Sequence, residues 1–499
     1  MDEIYKFLKS SGPQLSTTVA EHLCSYLGIS SAAARQRVSR SKGSVKRLGV
    51  LPFPRKARFL YLEEQFASPW YWQNLREALR DNTTAYGYAL AALLARDGMC
   101  LERYFPIICG APDKQKGHLS ASTVLDRLLD AGLVERIASN GLSLISIRRD
   151  AETTRRKITS FRARLEVERL LIENVEVWLK NLNFVSYGSV RTRYDKELPK
   201  VGTYNWDVSA PSYLNPMLKR SKEGAFTPGF WVCDVFLGKS LSANGASTFL
   251  RKCQNTRALR GLAPSMQMLV AYKFSAEAFS LLKKNGVIPA TVRNLFGRES
   301  EKVLKELIRT LASAYRGSID PEELDRVLNE LKRQKNSLGT IKGTLFELLV
   351  RDVLRANVSG VISIAVGKIS KLDGGKEAET DVVVHSKDGV RFIETKAYNP
   401  YHPLPDAEVD RWLDHNIPTV TKFARLQSAW RTEKLTFEIW STAPLSADSI
   451  ARIEDAKKRN VSRYSIVVKQ ADEIRVEFKN THDKGLQHLL KNHFLRKKK

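Results

Sequence analysis

From Glu379 to Ala397 the chain reads ETDVVVHSKDGVRFIETKA, a stretch that leaves its backbone little choice. Two runs rich in β-branched and aromatic residues flank Asp388-Gly389, a pair that adopts the backbone a tight turn between antiparallel strands requires. The segment predicts a β-hairpin and therefore a sheet at this point. Its register depends on the loop. With Asp388 and Gly389 as a two-residue loop, Asp381 lies opposite Lys396; with a four-residue loop from Ser386 to Gly389, Asp381 faces Glu394. Strand side chains alternate, so both registers put Asp381, Glu394 and Lys396 on one face.

Two carboxylates and an amine among apolar strand residues are costly as plain core, because unpaired charges resist desolvation. A ligand relieves that cost. Hard oxygen donors of this kind suit Mg²⁺ or Mn²⁺, with waters and a substrate phosphate completing the shell, and the amine would position and help deprotonate an attacking water. The competing reading is a surface salt-bridge ladder, since Glu-x-Lys is common on exposed strands. Glu347 favours the ligand. It lies in GTLFELLV, inside the apolar stripe of Leu345, Leu348, Leu349 and Leu354 on an amphipathic helix.

Charge points the same way. Lysine and arginine total 81 against 54 acidic residues, a net +27 over 499 residues, which suits a polyanionic partner better than an acidic small substrate. From His22 to Leu62 no acidic residue occurs, while Arg35, Arg37, Arg40, Lys42, Lys46, Arg47, Arg55, Lys56 and Arg58 do. That run reads as a phosphate-binding face, with Arg35, Arg37, Arg40, Lys42, Lys46 and Arg47 as its nucleic-acid contacts.

This basic run sits in a pattern of three helices and a hairpin over residues 1–65, the order of a winged helix, with Leu15, Val19, Leu23 and Leu27 as its buried stripe and a cap at Ser30 or Ser31. Residues 66–150 read as a second such unit, turning at Asn140-Gly141. There Asp126, Asp130 and Glu135 replace the positive charge of a reading helix, so packing or protein contact is expected. Residues 155–295 alternate helix and strand, 296–340 read as a helical connector, 341–480 alternate again, and 481–499 read as a mobile basic tail. The two alternating regions share text: Ser275-Ala276-Glu277 matches Ser446-Ala447-Asp448, suggesting duplication. In the first copy Asp207 and Asp234 take the places of the two acids, but Phe236 takes the place of the lysine, so this copy is expected to be inert. Gly238-Lys239-Ser240 lacks the upstream glycine of a phosphate loop. The five cysteines, Cys24, Cys100, Cys109, Cys233 and Cys253, form no CxxC pair. A reducing cytoplasm, nucleoid association included, is expected, with no leader and no membrane span.

A helix carboxylate at Glu347, then Asp381, then Glu394-Thr395-Lys396 resembles, in that order, the PD-(D/E)XK nucleases of the restriction-endonuclease-like superfamily. The likeness is greatest to archaeal Holliday-junction resolvases and methyl-directed restriction nucleases, and covers about residues 341–470. Thr380 stands where the family usually has proline. The resemblance implies a multidomain chain in which N-terminal α+β winged helices precede two α/β restriction-endonuclease-like domains, the first degenerate. It implies a divalent-metal-dependent DNA endonuclease acting in restriction, phage defence or mobile-element processing. Mg²⁺ or Mn²⁺ would be held by Asp381, Glu394 and the Thr395 carbonyl, Glu347 would bind directly or through water, and Lys396 would serve the nucleophile. Gln427 falls where some members place a glutamine, though a solvated helix residue is the plainer reading, and His402 and His415 follow the motif. RNA as the substrate and a non-catalytic nucleic-acid-binding regulator stay as alternatives. A homodimer or a partner ATPase is compatible with the family and follows from no residue.

Overall fold

The computed structural model describes residues 3–82, 84–148, 151–220, 224, 226–333 and 338–496. It is a multidomain α/β protein with mixed sheets, and among the described residues no helix is long and apolar enough to cross a membrane. The chain forms two compact units. The first comprises Met1–Ile137, Ser143–Thr154 and Val175–Leu295; the second comprises Ala138–Leu142, Arg155–Asn174 and Phe296–Lys499. The long helix Ala151–Asn181, read from sequence as opening the first α/β region, thus lends its 155–174 stretch to the second unit. The helices Val292–Tyr315 and Pro321–Arg333 belong to that second unit from Phe296 onward instead of forming a separate connector.

The first unit begins with helices Glu3–Ser11, Ser16–Leu27 and Ser31–Arg40, followed by strands Val45–Leu48 and Phe59–Leu62. Gln14–Leu15 adds a third strand beside Phe59–Leu62. Gly28, at φ 65, ends the second helix by donating its N–H to the Cys24 carbonyl, and Ser30 caps the third by accepting from the Ala33 N–H. Ile4, Leu8, Val19, Leu23, Val38 and Leu60 make the small core. In the following region the hairpin Val134–Ser139/Leu142–Ile147 turns at Asn140 and Gly141, both with positive φ, as the dipeptide requires.

Each unit also carries a five-stranded sheet. In the first the order is Ile288–Thr291, Ser265–Ala271, Gly229–Phe236, Val208–Ser212, Arg191–Thr192. In the second it is Val361–Lys371, Glu377–Ser386, Gly389–Lys396, Leu435–Ser441, Ser465–Lys469. Read in chain order both sheets run antiparallel, antiparallel, parallel, parallel. The helices Ala276–Lys284 and Ala447–Asn460 start at matching places, capped by Ser275 and Ser446. The two stretches of similar text therefore occupy equivalent positions.

In the second unit the helix Leu338–Asn357 packs across the sheet with Leu345, Phe346, Leu348, Leu349, Val350 and Val353 buried. The last residues pack too. Helix Lys484–Leu489 and the wide turn Leu490–Phe494 bury Leu486, Leu489, Leu490 and Phe494, and Phe494 stacks on Phe346 with centroids 5.4 Å apart. The expected mobile tail is thus structured to Arg496, because its apolar residues are buried; Lys497, Lys498 and Lys499 lie outside the described residues.

Candidate active site

The hairpin takes the register in which Asp381 faces Glu394: Ser386 pairs with Gly389 and Val382 with Ile393. The residues between the strands are Lys387 and Asp388, one place earlier than the Asp-Gly pair predicts, and Gly389 at φ 114 begins the return strand. A side chain at Gly389 would meet the Lys434 carbonyl oxygen at 2.3 Å, so only glycine lets the turn seat there. The paired ladder stops at Val382/Ile393. Beyond it the Asp381 carboxylate takes over as acceptor: its Oδ2 receives the Thr395 N–H at 2.6 Å and the Thr395 hydroxyl at 3.0 Å.

Glu379, Asp381, Glu394 and Lys396 line one side of a cleft of about 520 Å³, completed by Glu408, Arg411 and Asn416. The Lys396 Nζ lies 3.0 Å from Glu394 Oε1 and 2.7 Å from Glu408 Oε2, and Glu408 Oε1 accepts from the Tyr398 hydroxyl at 3.0 Å. The connecting helix widens to a π-type turn over Trp412–Asn416, just before Pro418, a residue with no N–H to give. Asn416 at the end of that turn is buried, with its Nδ2 3.5 Å from Glu394 Oε2.

The cleft gathers more carboxyls than cations to balance them, and the crowding favours their protonated forms. Burial, and then the nearby Glu394 carboxylate, raise the Asp381 carboxyl well above its usual range despite the Thr395 N–H and Lys396. Burial followed by Asp381 does the same to the half-buried Glu347. Glu379, exposed at its strand position, and Glu166 from the long helix are raised as well, with desolvation the first cause in each. Glu166 Oε2 accepts from the Thr344 hydroxyl at 3.1 Å. Lys396 moves the other way: desolvation works against its charge, but Glu394 and Glu408 outweigh it and hold the ammonium protonated.

Among the described residues no three His, Cys, Asp or Glu side chains are already gathered into a metal shell. The donor chemistry nonetheless fits an open hard-ion site, because Mg²⁺ is commonly bound by one or two carboxylates and completed by water and phosphate. Asp381 and Glu394 supply those carboxylates across the strand pair, and an ion's charge would offset the excess of carboxyls over cations. Thr395 gives its N–H and hydroxyl to Asp381, contacts that do not engage the carbonyl it is expected to offer. Gln427 ends the helix Ile417–Leu426, and the His415 Nε2 lies 3.0 Å from the Glu377 carbonyl; neither they nor His402 line the cleft. Glu379, Glu408, Arg411 and Asn416 are the site's unforeseen members, and Glu166 adds a neighbouring carboxyl. Glu379 was recoverable, lying two residues from Asp381 and so on the same face.

The matching place in the first sheet is narrower, about 330 Å³, and carries its own counter-charge. Val208 pairs with Cys233, which puts Asp207 and Asp234 where the second sheet has Asp381 and Glu394. Asp207 Oδ2 accepts the Val235 N–H at 2.7 Å, the counterpart of the Thr395 contact, and its Oδ1 takes Arg193 Nη1 at 3.1 Å. Lys252, 1 % exposed, comes from the helix Ala243–Arg257 and places its ammonium against Asp234, the Asn205 carbonyl at 2.9 Å and the Ile107 carbonyl at 3.1 Å. An internal cation with three oxygen partners thus neutralises the acids from within. Phe236 is buried in place of a lysine, under the Arg96 guanidinium.

On the basic helix of the first unit Arg35, Arg37 and Arg40 are exposed, as is Lys42 just after it. One expected contact is spent elsewhere, and a second is shared with an exposed carboxylate. Arg47 Nη2 donates to the carbonyls of Val38, Ser39 and Ser41 at 2.8, 3.1 and 2.7 Å, satisfying the orphan carbonyls at the end of the helix Ser31–Arg40. Lys46 is 3.3 Å from Glu63, a carboxylate just beyond the acid-free run. The chain matches no family model, no curated protein and no solved structure.

Proposed function

We propose that this chain is a divalent-metal-dependent nuclease that hydrolyses phosphodiester bonds in DNA, with one reaction centre at Asp381, Glu394 and Lys396. The observation that carries the reading is the contrast between two equivalent places in equivalent sheets. In one the paired acids are neutralised from within by Lys252 and Arg193; in the other they face an open cleft with carboxyls in excess of cations.

Asp381 and Glu394 would hold Mg²⁺ or Mn²⁺, with Glu347 behind them. Bound there, the ion supplies Lewis-acid polarisation of the phosphate and a more acidic water. The chain's own residues do the rest. Thr395 orients Asp381 through two hydrogen bonds, and Asn416 orients Glu394. Lys396 stays an ammonium between Glu394 and Glu408, so its part is to place an attacking water and steady charge developing on phosphoryl oxygen, in place of the proton abstraction expected of it. Arg35, Arg37, Arg40 and Lys42 supply backbone contacts that carry no sequence information.

The test is incubation of the full chain with labelled duplex DNA, single-stranded DNA and RNA, each with Mg²⁺, Mn²⁺ or chelator. Wild-type protein should cut DNA only with metal. Asp381→Asn, Glu394→Gln and Lys396→Ala should each lose at least a hundredfold in rate while still binding DNA in Ca²⁺. Metal-independent cutting, or wild-type cutting by folded Glu394→Gln, overturns the assignment; cutting of RNA alone transfers it to RNA.

A further inference from the structure

Just past Lys396 the chain leaves the sheet through Tyr398-Asn399-Pro400-Tyr401-His402-Pro403-Leu404-Pro405, a segment that joins the strand Gly389–Lys396 to the helix Asp406–Arg411. Its backbone is fixed. Pro400, Pro403 and Pro405 restrict φ, and the Asn399 carbonyl accepts from the His402 N–H at 3.2 Å. The Tyr398 carbonyl accepts from the Thr442 hydroxyl at 2.8 Å, and the Leu404 N–H donates to the Pro444 carbonyl at 2.9 Å. Leu404 is buried, yet Tyr398 is 41 % exposed and Tyr401 57 %. Apolar side chains scattered singly over a surface need no explanation; two exposed rings on one fixed turn beside a reaction cleft do.

Tyr398 adjoins the cleft, and Tyr401 carries a cation. The Tyr398 hydroxyl donates to Glu408 Oε1 at 3.0 Å, and Glu408, its charge matched by Lys396 at 2.7 Å, lines the cleft. The Arg496 guanidinium lies 5.2 Å from the Tyr401 ring centroid. Arg496 is exposed, and among the described residues no carboxylate pairs with it. Its carbonyl accepts from Arg475 Nη2 at 3.5 Å, which holds the chain at that point, and the sequence goes on to Lys497, Lys498 and Lys499. Exposed aromatic faces next to a guanidinium suit bases joined by phosphates. A duplex covers its base faces with their neighbours, so only unpaired bases can use such rings. A turn already held in place loses little freedom when they do.

We propose that Tyr398 and Tyr401 are a stacking platform for the unpaired bases of a single-stranded nucleic acid, with Arg496 at its phosphates. This gives the proposed nuclease a substrate class, a strand with an unpaired segment next to the cut. It rests on the nuclease reading for the cut alone, because stacking is a property of the turn. A free single strand and a duplex with an overhang offer the same chemistry.

Binding of the full chain, in Ca²⁺, to a single strand, a blunt duplex, the same duplex with an overhang, and that overhang built of abasic sites tests the platform. The overhang should bind more tightly than the blunt duplex, and removing its bases should remove the gain. Tyr398→Ala with Tyr401→Ala should weaken binding to the single strand and the overhang at least about tenfold and leave the blunt duplex unchanged. Tyr398→Phe and Tyr401→Phe, which keep the rings, should bind like wild type, and Arg496→Ala should lower the salt slope of the single-strand complex by about 0.7. Fluorescence of 2-aminopurine in the overhang should be quenched by wild type and not by the alanine pair, with circular dichroism confirming that each variant is folded. Binding indifferent to the alanine pair, or to loss of the bases, overturns the proposal and leaves the turn to a protein partner. Cleavage by Glu394→Gln separates the two readings. If that variant is dead while the alanine pair binds like wild type, only the platform fails; if it cuts while the alanine pair binds weakly, only the nuclease reading fails.

Discussion

Lys252 sets the terms at the scale of single residues. A buried pair tolerates its desolvation only while both partners stay, so Lys252→Met should destabilise the chain by about 3–5 kcal/mol, read by urea unfolding. Lys252→Met combined with Asp234→Leu should recover most of that loss. The pH dependence has a definite sign. Burial raises the Asp234 carboxyl from 3.8 to about 6 in the fold even with Lys252 opposing, so its contribution is full below about pH 4 and lost as pH rises through 6. The double variant should therefore lose less stability than wild type across that interval. None of this was legible in the sequence. Lys252 and Arg193 look like ordinary solvated charges, and only long-range pairing brings them to Asp234 and Asp207. Asp381, Glu394 and Lys396 were legible because strand alternation is local and leaves a face no freedom, whereas Glu166 reaches the same neighbourhood across the fold from a helix with no distinguishing pattern.

Among the elements, the hairpin at Gly389 shows how far turn chemistry carries. Its existence and shared face follow from the text, but its register does not, because the Lys434 carbonyl fixes which residue must lack a side chain. Gly389→Ala should cost about 1–3 kcal/mol, combining positive φ with a contact at 2.3 Å. Gly374→Ala is the control: it has positive φ but nothing within 4 Å, and should cost about 1 kcal/mol. Thermal melting of the two variants decides whether the close approach matters beyond the backbone angle. The last helix teaches a different lesson. A terminal run of lysines reads as a tail, yet Leu489, Leu490 and Phe494 just before it are core.

Across the whole molecule, the net charge of +27 makes the proposed nucleic-acid affinity depend on salt. Replacing Arg35, Arg37 and Arg40 together by alanine should weaken duplex binding and reduce the log–log salt slope by about 0.9 per lost contact. Arg47→Ala should leave the slope nearly unchanged and lower stability instead, because its guanidinium already serves three carbonyls of the chain. An unchanged slope in the triple variant would move the phosphate-binding face elsewhere. The duplicated sheets have one more consequence. With the acids of the first copy neutralised by its own lysine, the proposed reaction has one blade in each polypeptide. In the proposed reaction a lone chain meeting a duplex leaves a nick, and severing both strands takes either a second molecule or a second visit.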